Sequence, residues 1–343
     1  MEIHYLNVDE GDCSIIKHDS GRISMIDICC GNLSQEQQEL EESLKRADFS
    51  EATKWLHGNF KQKEHPINPL LWLSRVTSER IFRFVATHPD MDHLDGLKAL
   101  FESKYKPCNF WYTENDKEME PICGFGKYSE DDWKIYTKLK NEAVGDVTKL
   151  SLKSGAKGKF YNQDDDVGNG FGDRITIISP SKKINEVVAE TENFNDGSYV
   201  LLMESALGRK VLFCGDTEEQ AWNEILKHHK ERLRNIDVLI APHHGRKSGG
   251  NENYLCELKP KLSLLGNAKS EYLDYQAWND LGLDHYTNNQ LGSIVLEETK
   301  SGFNIFATNK SAVLAYSQGL CKDFTEADLI SHKSLPAYFL RAI

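Results

Sequence analysis

The sequence predicts an α/β protein, and three observations predict it. Strand-sized apolar runs recur along the chain; three of them, at 81–86, 210–213 and 236–240, end in a polar loop; and no apolar run approaches the roughly 20 residues needed to cross a bilayer. Hydrophobic residues make up 39% and charged residues 27% of 343, which gives enough apolar chain for a full core and excludes collagen-like, low-complexity and wholly disordered classes. No repeat or low-complexity linker divides the chain, so one domain over 1–343 is expected.

The first segment reads as a β-meander. Ile3, Tyr5 and Leu6 precede a polar turn, and Cys13-Ser-Ile-Ile16 and Ile23-Ser-Met-Ile26 follow, separated by Ser20-Gly21. Asp27 stands where the last of these strands leaves the sheet. Residues 34–80 are polar and helix-forming, with a helix expected over 34–44, and read as an insertion. A buried strand over 81–86 then delivers Thr87-His-Pro-Asp-Met-Asp-His93 to a loop ahead of a helix, an arrangement that holds side chains rigidly.

Residues 103–172 read as a second insertion, helical near 130–142. Strands resume at 175–178, 199–204 and 210–213, the last entering Cys214-Gly-Asp216. Thr217-Glu-Glu-Gln220 has the pattern of a capping box. The strand at 236–240 ends in Ala241-Pro-His-His-Gly245, and strands at 262–265, 292–296 and 303–306 alternate with a helix at 272–281. A helical tail is expected over 325–343.

Chemistry concentrates at the strand ends. His88, Asp90, Asp92 and His93 lie within six residues, a density of imidazole and carboxylate that suits a metal site held by a rigid strand. Asp216, His243 and His244 close two further strands, and the joint occurrence carries more weight than any one of them. The eight cysteines include no C-x-x-C pair and read as mostly reduced core residues, the adjacent Cys29 and Cys30 included.

The order of these elements resembles the metallo-β-lactamase superfamily, whose H-x-H-x-D-H signature corresponds to His88-Pro-Asp-Met-Asp-His93 with Asp90 in place of the second histidine. Within it the chain is most similar to the hydrolase domain of ComEC-type DNA-uptake proteins and their stand-alone relatives. Matching stretches are Leu6-Asn-Val-Asp-Glu-Gly-Asp12, Met25-Ile-Asp27, the loop through Gly96, Asn195-Asp-Gly-Ser-Tyr-Val-Leu-Leu202, Leu212-Phe-Cys-Gly-Asp216 and Pro242-His-His-Gly245. The resemblance implies a four-layer αβ/βα sandwich with its site along one edge.

It also implies two divalent ions. His88 and Asp90 would hold one, Asp92 and His93 the second, Asp216 would bridge them, and one of His243 and His244 would complete the second position while the other meets substrate or protonates a leaving group. Asp27 would support the ligand loop through hydrogen bonds. Where many relatives place another ligand histidine, this chain has Asn195, Asp196 and Ser198. That donor set shifts toward oxygen, which favours Mn²⁺, with Zn²⁺ next and Mg²⁺ allowed.

Arg246, Lys247 and Ser248 follow the His-His-Gly turn and are assigned, with Asn195 and Ser198, to substrate. Trp111, Tyr112 and Phe125 read as local core, with a base-stacking wall as the functional alternative. The expected activity is metal-dependent hydrolysis with Asp92, Asp216, His243 and His244 at its centre, by a phosphodiesterase or nuclease acting on DNA. The alternatives are hydrolysis of a small phosphorylated or lactone-like molecule, such as a nucleotide, and a non-catalytic metal-binding subunit that docks a partner protein through the insertions. A net charge of −12 disfavours broad binding to polyanions, and the absence of a leader-like or membrane-spanning segment makes the cytoplasm the expected compartment.

Overall fold

Alternation along short strands decides the architecture. The computed structural model describes residues 1–34, 61–118 and 127–343; the helix expected over 34–44 and the aromatic Phe125 lie outside the described residues. The strands in chain order are β1 (Glu2–Tyr5), β2 (Ser14–Lys17), β3 (Ile23–Ile26), β4 (Arg83–Val85), β5 (Asn109–Trp111), β6 (Thr148–Leu150), β7 (Ile175–Ser179) and β8 (Val200–Glu204). They continue with β9 (Lys210–Phe213), β10 (Val238–Ile240), β11 (Leu262–Leu265), β12 (His285–Thr287), β13 (Ile294–Glu298), β14 (Phe303–Ala307) and β15 (Tyr338–Ala342).

The helices among the described residues are α1 (Pro69–Val76), α2 (Leu97–Glu102), α3 (Glu130–Asn141), α4 (Lys182–Thr191), α5 (Glu219–His229), α6 (Asn251–Leu258), α7 (Tyr275–Asp280), α8 (Asn288–Leu291) and α9 (Lys310–Leu320). Two sheets form. The first runs β15-β14-β13-β1-β2-β3-β4-β5-β6 and the second β12-β11-β10-β9-β8-β7. Strands β3 to β6 are mutually parallel, as are β9 to β12.

One set of alternate residues from each sheet meets in the middle. Ile3, Tyr5, Ile16, Val85 and Leu296 of the first sheet share a core with Leu201, Val211, Phe213, Val238 and Ile240 of the second. The other faces are equally apolar, so each must bury against helices. Ile15, Met25, Phe84 and Phe110 pack under Trp72 and Leu73 of α1, Leu97 and Leu100 of α2 and Tyr136 of α3. On the far side Leu202, Leu212 and Leu239 pack under Val188 of α4, Trp222 of α5, Leu255 of α6 and Trp278 of α7. The result is a four-layer αβ/βα sandwich, and each such fully buried side chain contributes about 1.5–3 kcal/mol of transfer free energy.

Helix caps tie this frame to its loops. Ser129 accepts the Asp131 N–H at the start of α3, whose first turn carries Glu130, Asp131 and Asp132 and whose last turn carries Lys138 and Lys140, a charge order that opposes the helix dipole. Asp132, fully buried, also accepts the N–H groups of Gly96 and Lys98 and so fixes the start of α2.

Three expectations are corrected. The tail over 325–343 is not helical: it makes one 3-10 turn at Glu326–Asp328 and then β15, which pairs with β14 and sends Leu340 into the inner core. A helix there would leave the β14 edge unpaired. The stretch over 103–172 is not an appendage, because β5 and β6 within it extend the first sheet. Thr217 forms no capping box; its hydroxyl donates to the Cys214 carbonyl, and the first turn of α5 is served by Asp196, which accepts the Ala221 N–H.

Candidate metal centre

The carboxyl ends of β3, β4, β9 and β10 open on one edge of the sandwich, where a ligand meets loops instead of strand backbone. Asp27 directly follows β3 and takes a left-handed conformation, φ 56°. Its Oδ1 accepts the Thr87 N–H at 2.7 Å, and its Oδ2 accepts the Thr87 hydroxyl at 2.6 Å and the His93 Nδ1–H at 2.8 Å. Asp27 thus holds the loop after β4 and turns His93 Nε2 outward.

After β9, Gly215 has φ 52°, and a Cβ there would lie 2.9 Å from the Thr87 Cβ and 3.0 Å from the Ser198 Cβ. Only glycine lets this turn press against the β4 loop. The contact brings Asp216 Oδ1 to 3.2 Å from His93 Nε2 and its Oδ2 to 3.9 Å from His88 Nε2. After β10, His243 and His244 both have positive φ, at 48° and 58°, strain of the kind that persists where a site requires it. The His243 N–H donates to the Gly215 carbonyl, which locks the two turns together.

His244 Nε2 lies 3.5 Å from Asp216 Oδ2 and 3.8 Å from Asp92 Oδ2. Asp92, His93, Asp216 and His244 each offer one donor atom, all within 4.8 Å of one another. His243 takes a different place: its Nε2 is 3.5 Å from Asp216 Oδ2 and 3.2 Å from an Arg246 nitrogen, while its Nδ1 faces Glu218 Oε1 at 3.2 Å and Ser248 Oγ at 2.8 Å. The choice between the two histidines that spacing left open thus falls on His244 as the member of the four-donor cluster.

Ring tautomers test whether a cation fits. Nδ1 of His93 gives its proton to Asp27, which leaves its Nε2 lone pair facing the cluster; Nδ1 of His244 lies 3.2 Å from Asp12 Oδ1 without completing a hydrogen bond, and its Nε2 faces Asp92 and Asp216. His88 is like His93: Thr87 Oγ1 spends its own proton on Asp27 and accepts from His88 Nδ1 at 3.1 Å. Nε2 of His88, His93 and His244 and Oδ1 of Asp216 are buried and hydrogen-bond to nothing among the described residues. Buried polar atoms left unpaired are rare in native proteins, and at His93, Asp216 and His244 a divalent ion would supply the partner. The residues fit a divalent ion.

With no ion bound, the carboxylates draw protons onto the same histidines, the response of a cluster that attracts positive charge. Burial would raise Asp216, but His244, His93 and His243 hold its carboxyl well below the usual range; burial would depress His244, yet Asp216 and Asp12 lift it to about 10. His93 is likewise raised against burial by Asp216, Asp27 and Asp92, whereas burial and the neighbouring His93 lower His88. The cluster therefore favours positive charge at the Asp92–His244 side.

Two other donor groups are committed to partners of their own. At Glu2, Glu297 and His332, Glu2 Oε1 lies 3.1 Å from His4 Nε2, Glu297 accepts from Lys333 Nζ at 2.9 Å, and the His332 Nδ1 accepts the Ser334 N–H, although its Nε2 is unpaired among the described residues. At Cys29, Cys30 and Asp95, the carboxylate is committed to the Cys30 N–H and to Asn32, and the buried thiols, free of any disulfide, share a hydrogen bond at 3.7 Å.

Other assigned residues separate. Ser198 is fully buried and its Oγ accepts the Asp216 N–H, so it positions Asp216 and does not reach substrate. Asn195 is half-buried and turns toward Glu218. Arg246 is half-buried at the cluster rim, over the Tyr272 ring, and Lys247 and Ser248 are exposed. Trp111 lies in the inner core and Tyr112 stacks on Phe110, so neither forms a base-stacking wall. Spacing gave no role to Asp12, Thr87, Glu218 or Lys117. Asp12 closes one of the matching stretches and Glu218 is two residues beyond Asp216, which were the available signals.

No family model and no curated protein matches the chain. Among solved structures it is similar to one titled as the Zn²⁺-bound PqqB from Methylobacterium extorquens, at 12% identity over 70% of each chain, with a TM-score of 0.32. Among the described residues no helix is long and apolar enough to cross a membrane.

Proposed function

We propose that the protein is a metal-dependent hydrolase of phosphodiesters, with a nucleic-acid strand as its first substrate class. One observation carries the reading: four donors converge within 4.8 Å, the Nε2 atoms of both histidines among them, and the Arg246 guanidinium stands 3.2 Å from His243 at the same edge. Asp92, His93, Asp216 and His244 would hold the ion, as Mn²⁺ or Zn²⁺ for a mixed nitrogen and oxygen set. A divalent ion there supplies a lowered pKa for water and charge neutralisation at phosphorus.

The chain's own groups do the rest. Asp27 and Asp12 orient the ligand imidazoles. Arg246 and Lys247 bind the phosphate oxygens, the guanidinium by a planar pair of donors. His243, backed by Glu218, is the group assigned to meet substrate, or to protonate the leaving oxygen once Arg246 turns from its Nε2 to the phosphate. Water needs no side-chain nucleophile in this scheme.

A net charge of −12 favours a second reading, in which the same groups act on a small phosphorylated molecule such as a nucleotide. The test is a panel of bis-p-nitrophenyl phosphate, single- and double-stranded DNA, RNA and nucleotides, run with Mn²⁺, Zn²⁺ or Mg²⁺. Turnover that EDTA removes and Mn²⁺ or Zn²⁺ restores is the expected result, and the preferred substrate separates the two readings. Failure on every phosphodiester would leave a lactone-like ester or a non-catalytic metal-binding role.

A further inference from the structure

The His88 side of the centre differs from the Asp92 side in one respect: its carboxylate, Asp90, is already paired with a cation of the chain, while His88 Nε2 has no hydrogen-bond partner among the described residues. Lys117, between β5 and α3, extends its ammonium to 2.5 Å from Asp90 Oδ1 and over the Phe194 ring at 5.4 Å. Both partners are about one-quarter to one-third exposed, so this is a rim contact that water reaches. Few other donors are available. His88 Nε2 is 3.9 Å from both Asp90 Oδ2 and Asp216 Oδ2, and neither His88 nor Asp90 belongs to the converging four-donor group.

The neighbouring groups are committed elsewhere. Asp196 caps α5, Ser198 holds the Asp216 backbone, and His243 Nε2 already faces the Arg246 guanidinium. A divalent ion beside His88 would find one imidazole, one carboxylate paired with lysine, and one carboxylate shared with the other position. It would also meet the charge of Lys117 on Asp90 and, across His243, that of Arg246.

We propose that Lys117 is the tethered cation of the His88–Asp90 position, so that the protein takes up one divalent ion, at Asp92, His93, Asp216 and His244, where two would otherwise be expected. The inference rests on the metal-centre reading above. It makes Lys117 a determinant of metal stoichiometry, and it leaves the ammonium placed to meet a phosphate oxygen on the side away from the ion.

Protein stripped with EDTA is titrated with Mn²⁺, and bound metal is counted by mass spectrometry with electron paramagnetic resonance as a second readout. The wild type is expected to bind one ion with an uncoupled Mn²⁺ spectrum. Lys117→Met, which keeps the apolar stem, is expected to bind two, with spin coupling between them and the second ion held at least about tenfold more tightly than by the wild type. Lys117→Arg should stay at one, and Asp90→Asn should keep its single ion. Two ions in the wild type, or one in Lys117→Met, overturns the inference while the metal-centre reading stands. No ion in the wild type overturns both.

Discussion

Among the described residues, two buried polar clusters at opposite ends of β4 are built to opposite purposes. At the amino end of β4, Arg83 is 1% exposed and Asp173 is 7% exposed, yet the Asp173 carboxylate accepts from Ser20, from two nitrogens of Arg22 and from Arg83. Arg83 also donates to Ser24 Oγ and to the Phe160 carbonyl, which leaves only its Nε unmet. Past the carboxyl end of the same strand, His88, His93, Asp216 and His244 are as deeply buried, and each keeps an unpaired atom aimed at the others. A buried polar group without a partner costs more than its bond would have returned. The first cluster therefore reads as structure, and the second as a site held ready for a cation.

The largest expected effect breaks the second cluster. Asp216 is the carboxylate that reaches His88, His93, His243 and His244, so Asp216→Ala should remove ion uptake and lower turnover by at least about 1,000-fold, measured by metal analysis and steady-state kinetics. The matched change in the first cluster should do the reverse. Asp173→Asn leaves Arg83 buried beside a neutral partner and should destabilise the fold by about 3–5 kcal/mol in urea titration, with ion uptake per folded chain unchanged. Ion uptake lost in Asp173→Asn and kept in Asp216→Ala would reverse the two assignments.

How much of this was legible in the sequence follows the same division. His88, Asp90, Asp92, His93 and Asp216 were readable because each lies in the loop that directly follows an apolar strand, and strand ends are local features. Asp27 was readable for the same reason, as the residue leaving β3. Asp12 and Lys117 were not, because their partners, His244 and Asp90, are set by how strands pair and loops fold over the edge, and no spacing along the chain encodes that. The tail misled because local pattern over 325–343 does not separate helix from strand, and its assignment is decided by the open edge of β14 that Tyr338–Ala342 covers. Ser198 looked like a substrate ligand by position, but Gly215 presses the Asp216 turn onto it and buries it.

A finer test asks whether the two carboxylates behind the ligand histidines act alike. Asp27 serves His93 and two groups of Thr87, whereas Asp12 serves His244 and accepts the Tyr5 hydroxyl at 2.8 Å. Asp12→Asn should weaken Mn²⁺ or Zn²⁺ binding by about 10–100-fold with little change in thermal stability, the usual effect of loosening a carboxylate that orients a ligand imidazole. Asp27→Asn should weaken binding similarly and also lower Tm, since it disturbs the Thr87 backbone contact. Equal Tm losses in the two variants would show that Asp12 is a structural group of the first kind.

Acid titration probes the compensated cluster alone. Burial would raise Asp173, but the hydrogen bonds from Arg22 and the charges of His18 and Arg83 lower its pKa to about 2, below its ordinary value of 3.8. A depressed carboxylate stabilises the fold above its unfolded pKa, and that contribution disappears as pH falls from about 4 through about 2, amounting to about 2 kcal/mol for this one group. Urea unfolding of metal-free wild type and Asp173→Asn at steps of pH isolates the difference. The wild-type advantage should shrink across that window and stay flat from pH 5 to 7. An advantage that persists unchanged at pH 2 would mean that the charge of Asp173 contributes nothing, and that its hydrogen bonds alone hold Arg22 and Arg83 in place.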